Sequence, residues 1–320
     1  MPIGLGLASS HAPSLVAPVE SWPSIYQRLT RTVPQPPEAS DETPEVITDY
    51  VERINHSFDT LKREIEAYGT ELLIIIGGDQ SEMFDRSNVP NLMVYTGEVA
   101  WGHNNNGIMG EQPSEADIVR LKVDVETSEW LLDRLVRDEG FDIAISGEQD
   151  ALGRPERGLP HAFARPMPLL NPKFDIPVVI FYENTYNPPS LSASRCYELG
   201  RALARIFERD PRKIAIYGSG GLSHDPGGPR SGWVDAPLDR WFLGQIEAGR
   251  GEDTTALYRF DSMTMRGGTG EIRAWITVAG AMERVGSSAT VVDYIPANHA
   301  VTGLGWAYWP PVPASAAVGS

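Results

Sequence analysis

What most constrains this chain is an alternation of two kinds of segment. Short apolar runs rich in Val, Ile and Tyr, bounded by Gly, Pro or Asn, occur at residues 3–7, 71–76, 91–95, 141–146, 176–182, 213–217 and 289–295. Runs of this length and content read as buried strands. Between several of them lie helical patterns. Residues 49–68 carry Val51, Ile54, Phe58, Leu61 and Ile65 on one stripe, and 123–139, 192–210 and 271–285 are the other strong helices. The alternation predicts an α/β fold, a central mixed sheet covered by helices. No linker is visible, so residues 1–320 are read as one domain. Residues 18–45, which hold Pro34, Pro36 and Pro37, are expected to form an irregular exposed excursion, and 310–320 a flexible tail. Residues 147–172 read as a long irregular loop, of the kind that forms lids and binding sites.

Composition removes several function classes. The net charge of −16 would repel a phosphate backbone, so nucleic acid is not expected as a partner. There is no apolar stretch of about 18 residues to span a membrane. No basic segment precedes the apolar N-terminal run, so that run reads as a first strand, not a secretory signal. The single cysteine, Cys196, excludes an internal disulfide and every cysteine-rich metal site. Any metal must be held by His, carboxylate or amide oxygen, and a cytoplasmic enzyme is expected.

The six histidines are His11, His56, His103, His161, His224 and His299. His11 lies just past the first strand, in Ser-Ser-His-Ala-Pro. A lone histidine is more often structural than a ligand, but strand-end loops are where α/β sites collect. His224 is flanked by Gly218, Gly220, Gly221, Gly227 and Gly228. Such a loop can press its backbone against a ligand. It can equally be a tight turn, while a phosphate loop is discounted because the Lys-Ser/Thr step is missing. His161 lies in the long loop, near Arg154, Arg157 and Arg165, which suit an anionic substrate or are simply solvated charges. Glu271 opens a helix, where a first-turn glutamate is favoured by the helix dipole alone. Asp79 and Gln80 follow a strand through Gly77-Gly78. Asp can bind or orient a metal ligand there, whereas a Gln amide oxygen is a rare ligand for transition metals.

Taken together, these segments resemble the LigB-type (class III) extradiol dioxygenases. Ser9-Ser-His-Ala-Pro resembles the family's N-terminal Ser-His-x-Pro, and Gly218-Ser-Gly-Gly-Leu-Ser-His its Gly-rich histidine loop. His161 with Pro166 keeps a family His-to-Pro spacing, Glu271-Ile-Arg-Ala-Trp resembles the family's metal-carboxylate helix, and Tyr294-Ile-Pro-Ala-Asn-His a segment near the substrate. The resemblance implies Fe(II) bound by His11, Gln80 and Glu271. It implies His161 and His224 as catalytic acid/base residues, and Arg165, Asn298 and His299 near the substrate. The partners implied are a small catechol-like aromatic, anionic or heterocyclic, and O2. The resemblance leaves open a homodimer or an assembly with a small accessory subunit.

At one place the pattern departs. Asp79-Gln80-Ser81-Glu82-Met83-Phe84 stands where the best-known members have Asp-His-x-x-x-Phe, so Gln80 occupies the second iron histidine's position. Gln80, directly or through water, is expected there ahead of His56, which should face away from the sheet. His103 and His299 read as loop or substrate-shell residues. The departure keeps two alternatives open: a metal-dependent hydrolase or lyase on this fold, and a non-catalytic binding relative.

Overall fold

Leu73 and Ile75 point to one face of their strand, Ile74 and Ile76 to the other, and all four are fully buried. A strand covered on both faces belongs inside a sheet flanked by helices. That is the arrangement in the computed structural model, which describes residues 3–84, 87–104, 114–147, 158–260 and 262–312.

The chain runs through β1 (Ile3–Ser9), α1 (Trp22–Thr30), α2 (Pro44–Tyr68), β2 (Leu72–Gly77), β3 (Leu92–Tyr95), β4 (Val99–His103), β5 (Ile118–Lys122), α3 (Val125–Arg137) and β6 (Ala144–Ser146). It continues through α4 (His161–Ala164), α5 (Met167–Leu170), β7 (Val178–Glu183), α6 (Ala193–Ile206), β8 (Ile214–Ser219), α7 (Ala236–Glu247), α8 (Ile272–Arg284), β9 (Thr290–Ala297) and β10 (Thr302–Trp309). Eight strands form a mixed sheet in the order β6-β3-β7-β2-β8-β1-β10-β9, and β4 and β5 pair apart from it. The central strands β7, β2, β8 and β1 are mutually parallel. Their C-terminal ends therefore open on one side, where ligands bind in such sheets.

The stripe Ile54, Phe58, Leu61 and Ile65 of α2 covers one face together with Leu73 and Ile75. The pair α6 and α8 covers the other, with Ile74 and Ile76 beneath. Those two helices touch closely because Gly200 has no side chain: a Cβ there would sit 1.9 Å from the Thr277 carbonyl oxygen.

All seven expected strands and all four expected helices are present, with shifted ends. The 18–45 excursion is a correction: it contains the turn Val19–Ser21, α1, the turn Pro37–Asp41 and the start of α2. Trp22 and Ile25 are buried, which fixes α1 to the body of the protein. The prolines suggested irregularity, but Pro23, Pro36, Pro37 and Pro44 sit just before or in the first positions of helical turns, where a missing N–H costs nothing, and only Pro34 lies in an irregular stretch. The hairpin β4–β5, the strand β10 and the helix α7 were not expected.

Candidate active site

The site is assembled from the ends of the parallel strands. Ser9 of β1 pairs with Ser219 of β8, and Gly77 of β2 pairs with the same residue, so the loops that follow begin side by side. They carry His11, Gln80 and the segment 220–224 into one cavity of about 170 Å³, which Glu271, His161 and Arg165 also line.

The loop after β8 is held from several directions. Leu222 N–H donates to the Gly303 carbonyl at 2.7 Å, and Gly303 N–H returns a bond to Ser223 at 3.0 Å, fastening the loop to β10. His224 N–H donates to Thr269 Oγ1, and Thr269 N–H donates back to the His224 carbonyl. Trp275 Nε1 donates to the Gly220 carbonyl at 2.7 Å. Gly220 has φ of +135° and lies where a Cβ would meet the Glu271 side chain, so a larger residue would be strained and would crowd the carboxylate.

Glu271 is the meeting point. His11 Nε2 lies 3.3 Å from its Oε2, and His224 Nε2 lies 3.4 Å from the same oxygen. Gly221 N–H donates to Oε2 at 2.9 Å, and Gln80 Nε2 donates to Oε1 at 2.8 Å. The hydrogen-bond chains fix both imidazoles. Ser219 Oγ gives its proton to the Ala162 carbonyl at 2.6 Å, so it accepts from His11 Nδ1 at 2.9 Å. His224 Nδ1 donates to the Leu222 carbonyl at 2.8 Å. Each Nε2 is thus left with a bare lone pair. Burial pushes His11 down to about 4, only partly offset by the Glu271 charge, so it is neutral at neutral pH. Burial alone would raise the Glu271 carboxyl, but the positive charge that His11 and His224 carry when protonated, together with the Gly221 N–H, draws it well below the usual range.

Two lone pairs therefore face an ionised oxygen, and His11 Nε2 is buried without a hydrogen-bond partner. Among the described residues no three His, Cys, Asp or Glu side chains are disposed to hold a metal ion as they stand. The donor chemistry nevertheless suits a divalent cation: two imidazole nitrogens, one of them the orphaned His11 Nε2, and a carboxylate oxygen. Gln80 reaches this group through its amide N–H, on the carboxylate oxygen turned away from the imidazoles.

His161 stands edge-on to His11, ring centroids 4.5 Å apart. Its Nδ1 is 2.8 Å from Glu82 Oε2. Asp79 shapes this loop, its carboxylate accepting the backbone N–H groups of Glu82, Met83 and Phe84. Burial, with the Glu82 charge nearby, pushes Asp79 up to about 6. The Arg165 guanidinium is buried and donates to the His11 carbonyl at 2.6 Å and the Asn104 carbonyl at 3.2 Å. Burial brings it down to about 10, partly offset by the Glu82 and Glu271 charges. Arg154 and Arg157 lie outside the described residues.

Asn298 and His299 are not among the residues lining the cavity. Their backbone N–H groups both donate to the Glu42 carboxylate, and the His299 ring packs on Tyr26 with centroids 4.4 Å apart. His56 is exposed on α2, as its position on that helix implied, and His103 packs against Trp101 on β4. Sequence reasoning missed Glu82, Ser219 and Arg28. Glu82 had a usable signal, a second carboxylate in the same strand-end loop as Asp79 and Gln80. Ser219 and Arg28 had none.

Residues 34–304 match a family model described as the catalytic LigB subunit of aromatic ring-opening dioxygenase. The chain is 25% identical over 211 residues to a 2,3-dihydroxyphenylpropionate/2,3-dihydroxicinnamic acid 1,2-dioxygenase of Photorhabdus laumondii, covering 65% of this chain and 57% of that one. It is 30% identical over 133 residues to a gallate dioxygenase of Pseudomonas putida, covering 40% and 39% respectively. The chain thus spans about half the length of the curated relatives it matches. A solved structure of an uncharacterized Escherichia coli K12 protein superposes with a TM-score of 0.48 at 16% identity, covering 95% of this chain and 99% of that one. No helix among the described residues is long and apolar enough to cross a membrane.

Proposed function

The chain belongs to the LigB family of aromatic ring-opening dioxygenase catalytic subunits, and from that premise we propose that it opens the ring of a catechol-like substrate with O2, using Fe(II). The observation that carries this reading is the approach of two bare imidazole nitrogens, 3.3 and 3.4 Å away, to one oxygen of Glu271. His11 and Glu271 would hold the metal, with His224 Nε2 across the same oxygen and Gln80 fixing the carboxylate from its other side. When bound, Fe(II) supplies adjacent open positions at which a diol and dioxygen meet.

The protein's own groups do the rest. His161 keeps Nδ1 on Glu82, so its Nε2 is the ring nitrogen that can take a diol proton. His224, with Nδ1–H committed to Leu222, presents an acceptor nitrogen to the same space. Arg165 fixes the His11 backbone and adds a positive charge that favours an anionic diol. Leu29, Pro226 and Val301 supply apolar wall against an aromatic ring.

The test is anaerobic Fe(II) loading followed by oxygen-electrode assays with catechols, gallates and dihydroxypyridines. Oxygen uptake with a coloured ring-opened product supports the reading. Stoichiometric iron with no uptake on any of them overturns it.

A further inference from the structure

The cavity has a second arginine, and it is placed differently from Arg165. Arg28 lies in the last turn of α1 and is exposed at the cavity's edge. Among the described residues it has no hydrogen-bond or ion-pair partner, whereas Arg165 is buried and bonded to two backbone carbonyls. A cation in the last turn of a helix is favoured by the helix dipole wherever it points. Here the helix is fixed so that this position borders the cavity. Trp22, Ile25 and Thr30 are buried beneath α1. The segment after it is tied to the loop following His224: Gln35 Nε2 donates to the Ser231 carbonyl at 3.0 Å, and Trp233 Nε1 to the Pro34 carbonyl at 2.7 Å. Gly232 packs so closely on Gln35 that a Cβ would lie 1.9 Å from its amide oxygen.

The surrounding charge adds weight. The protein has 43 acidic residues against 27 lysines and arginines, so its overall field repels anions. Among the described residues, Arg28 is the exposed guanidinium at the rim of the cavity that gathers these histidines, and it is a local exception. Its planar fork matches a carboxylate. We propose that Arg28 is a specificity-determining residue of this site, receiving a carboxylate borne by the catechol substrate. The diol lies inward beside His11 and Glu271, and the carboxylate lies outward on Arg28. This rests on the catechol reading above and goes beyond it by naming the residue that selects the substituent.

The test compares 2,3-dihydroxyphenylpropionate with 3-propylcatechol, which keeps a similar side chain without the charge. The ratio of kcat/KM for the acid over the neutral diol should fall about fivefold or more in Arg28→Gln. In Arg28→Glu, preference should turn toward dopamine, whose side chain is cationic. Arg31→Gln, exposed just beyond the helix and outside the cavity lining, should leave the ratio as it is. Anaerobic binding of the same ligands, followed by calorimetry, gives the same comparison whether or not a ring is opened, so failure of the oxygenase reading stays distinguishable. A ratio unchanged in both Arg28 variants, by turnover and by binding, overturns the proposal.

Discussion

His161 Nδ1 stands 2.8 Å from Glu82 Oε2, and the His161 backbone N–H approaches the same carboxylate at 3.3 Å. One carboxylate therefore orients both the ring and the start of its helix. Glu82→Gln keeps an acceptor for Nδ1–H but removes the charge that stabilises an imidazolium. The expected result is a fall in kcat of about tenfold or more, with the anaerobic substrate dissociation constant nearly unchanged. Equal losses in kcat and binding, together with a lowered Tm, would make Glu82 a purely structural residue.

The lone pairs around Glu271 Oε2 make the cation-free site electrostatically unfavourable, so a cation should stabilise the fold. Fe(II) or Zn(II) added to chelator-treated protein is expected to raise Tm, because only the folded chain brings the donors together. His11→Ala and Glu271→Gln should each retain well under one equivalent of metal by elemental analysis. Full occupancy in both variants would place the metal elsewhere.

Gln80 donates to Glu271 Oε1, and groups that hold a metal-binding carboxylate commonly matter about 10- to 100-fold in affinity. Gln80→Ala should weaken Fe(II) binding by an amount in that range. Gln80→His, which puts an imidazole beside the carboxylate, should tighten it. Titration with a competing chelator reads both. Equal affinity in wild type, Gln80→Ala and Gln80→His would separate position 80 from the metal.

The strands were legible because burial on both faces leaves an unbroken apolar run, as in Leu72–Gly77. The helices α2 and α6 were legible because each shows one apolar stripe. β10 was not: Thr302–Trp309 is interleaved with Gly303 and Gly305, and no local pattern marks it as a strand. Within the site, His11, His161, His224 and Glu271 stood out through their neighbours. Glu82 and Ser219 did not, because a hydrogen bond between residues 79 positions apart, or 208, leaves no trace in either local sequence. Asn298 and His299 show the converse. Their segment resembles one near the substrate, while in the structure their backbone N–H groups bond to Glu42 and neither residue lines the cavity.

Trp275 links the core of α8 to the loop that carries His224. Its indole N–H donates to the Gly220 carbonyl at 2.7 Å, and the side chain is fully buried. Trp275→Phe leaves that carbonyl without its donor and opens space beside Phe242. A loss of about 1–3 kcal/mol is expected from the unpaired buried acceptor, with more from lost packing. Urea denaturation measures it. A change below about 0.5 kcal/mol would show that water or backbone movement replaces the bond.

Asp239 ties stability to pH from behind the same loop. It is buried on α7 and accepts from Ser223 N–H, Ser223 Oγ and Tyr294 OH. Burial nevertheless dominates and pushes its carboxyl up to about 6 from 3.8. A carboxyl raised on folding binds its proton more tightly in the native state. Its stabilising contribution is complete below the unfolded value and is lost as pH climbs through the folded one. Over this interval the loss is about 3 kcal/mol, at about 1.4 kcal/mol for each tenfold difference in proton affinity between the folded and unfolded chain. Asp239→Asn does not titrate. Between about pH 4 and pH 8 the wild type should therefore lose about 2 kcal/mol or more relative to that variant, most of it below about pH 6.5. Chemical denaturation of the pair across this range reads the difference directly. A flat difference, or one that favours the wild type as pH rises, would show that the three donors outweigh burial and that Asp239 is ionised throughout.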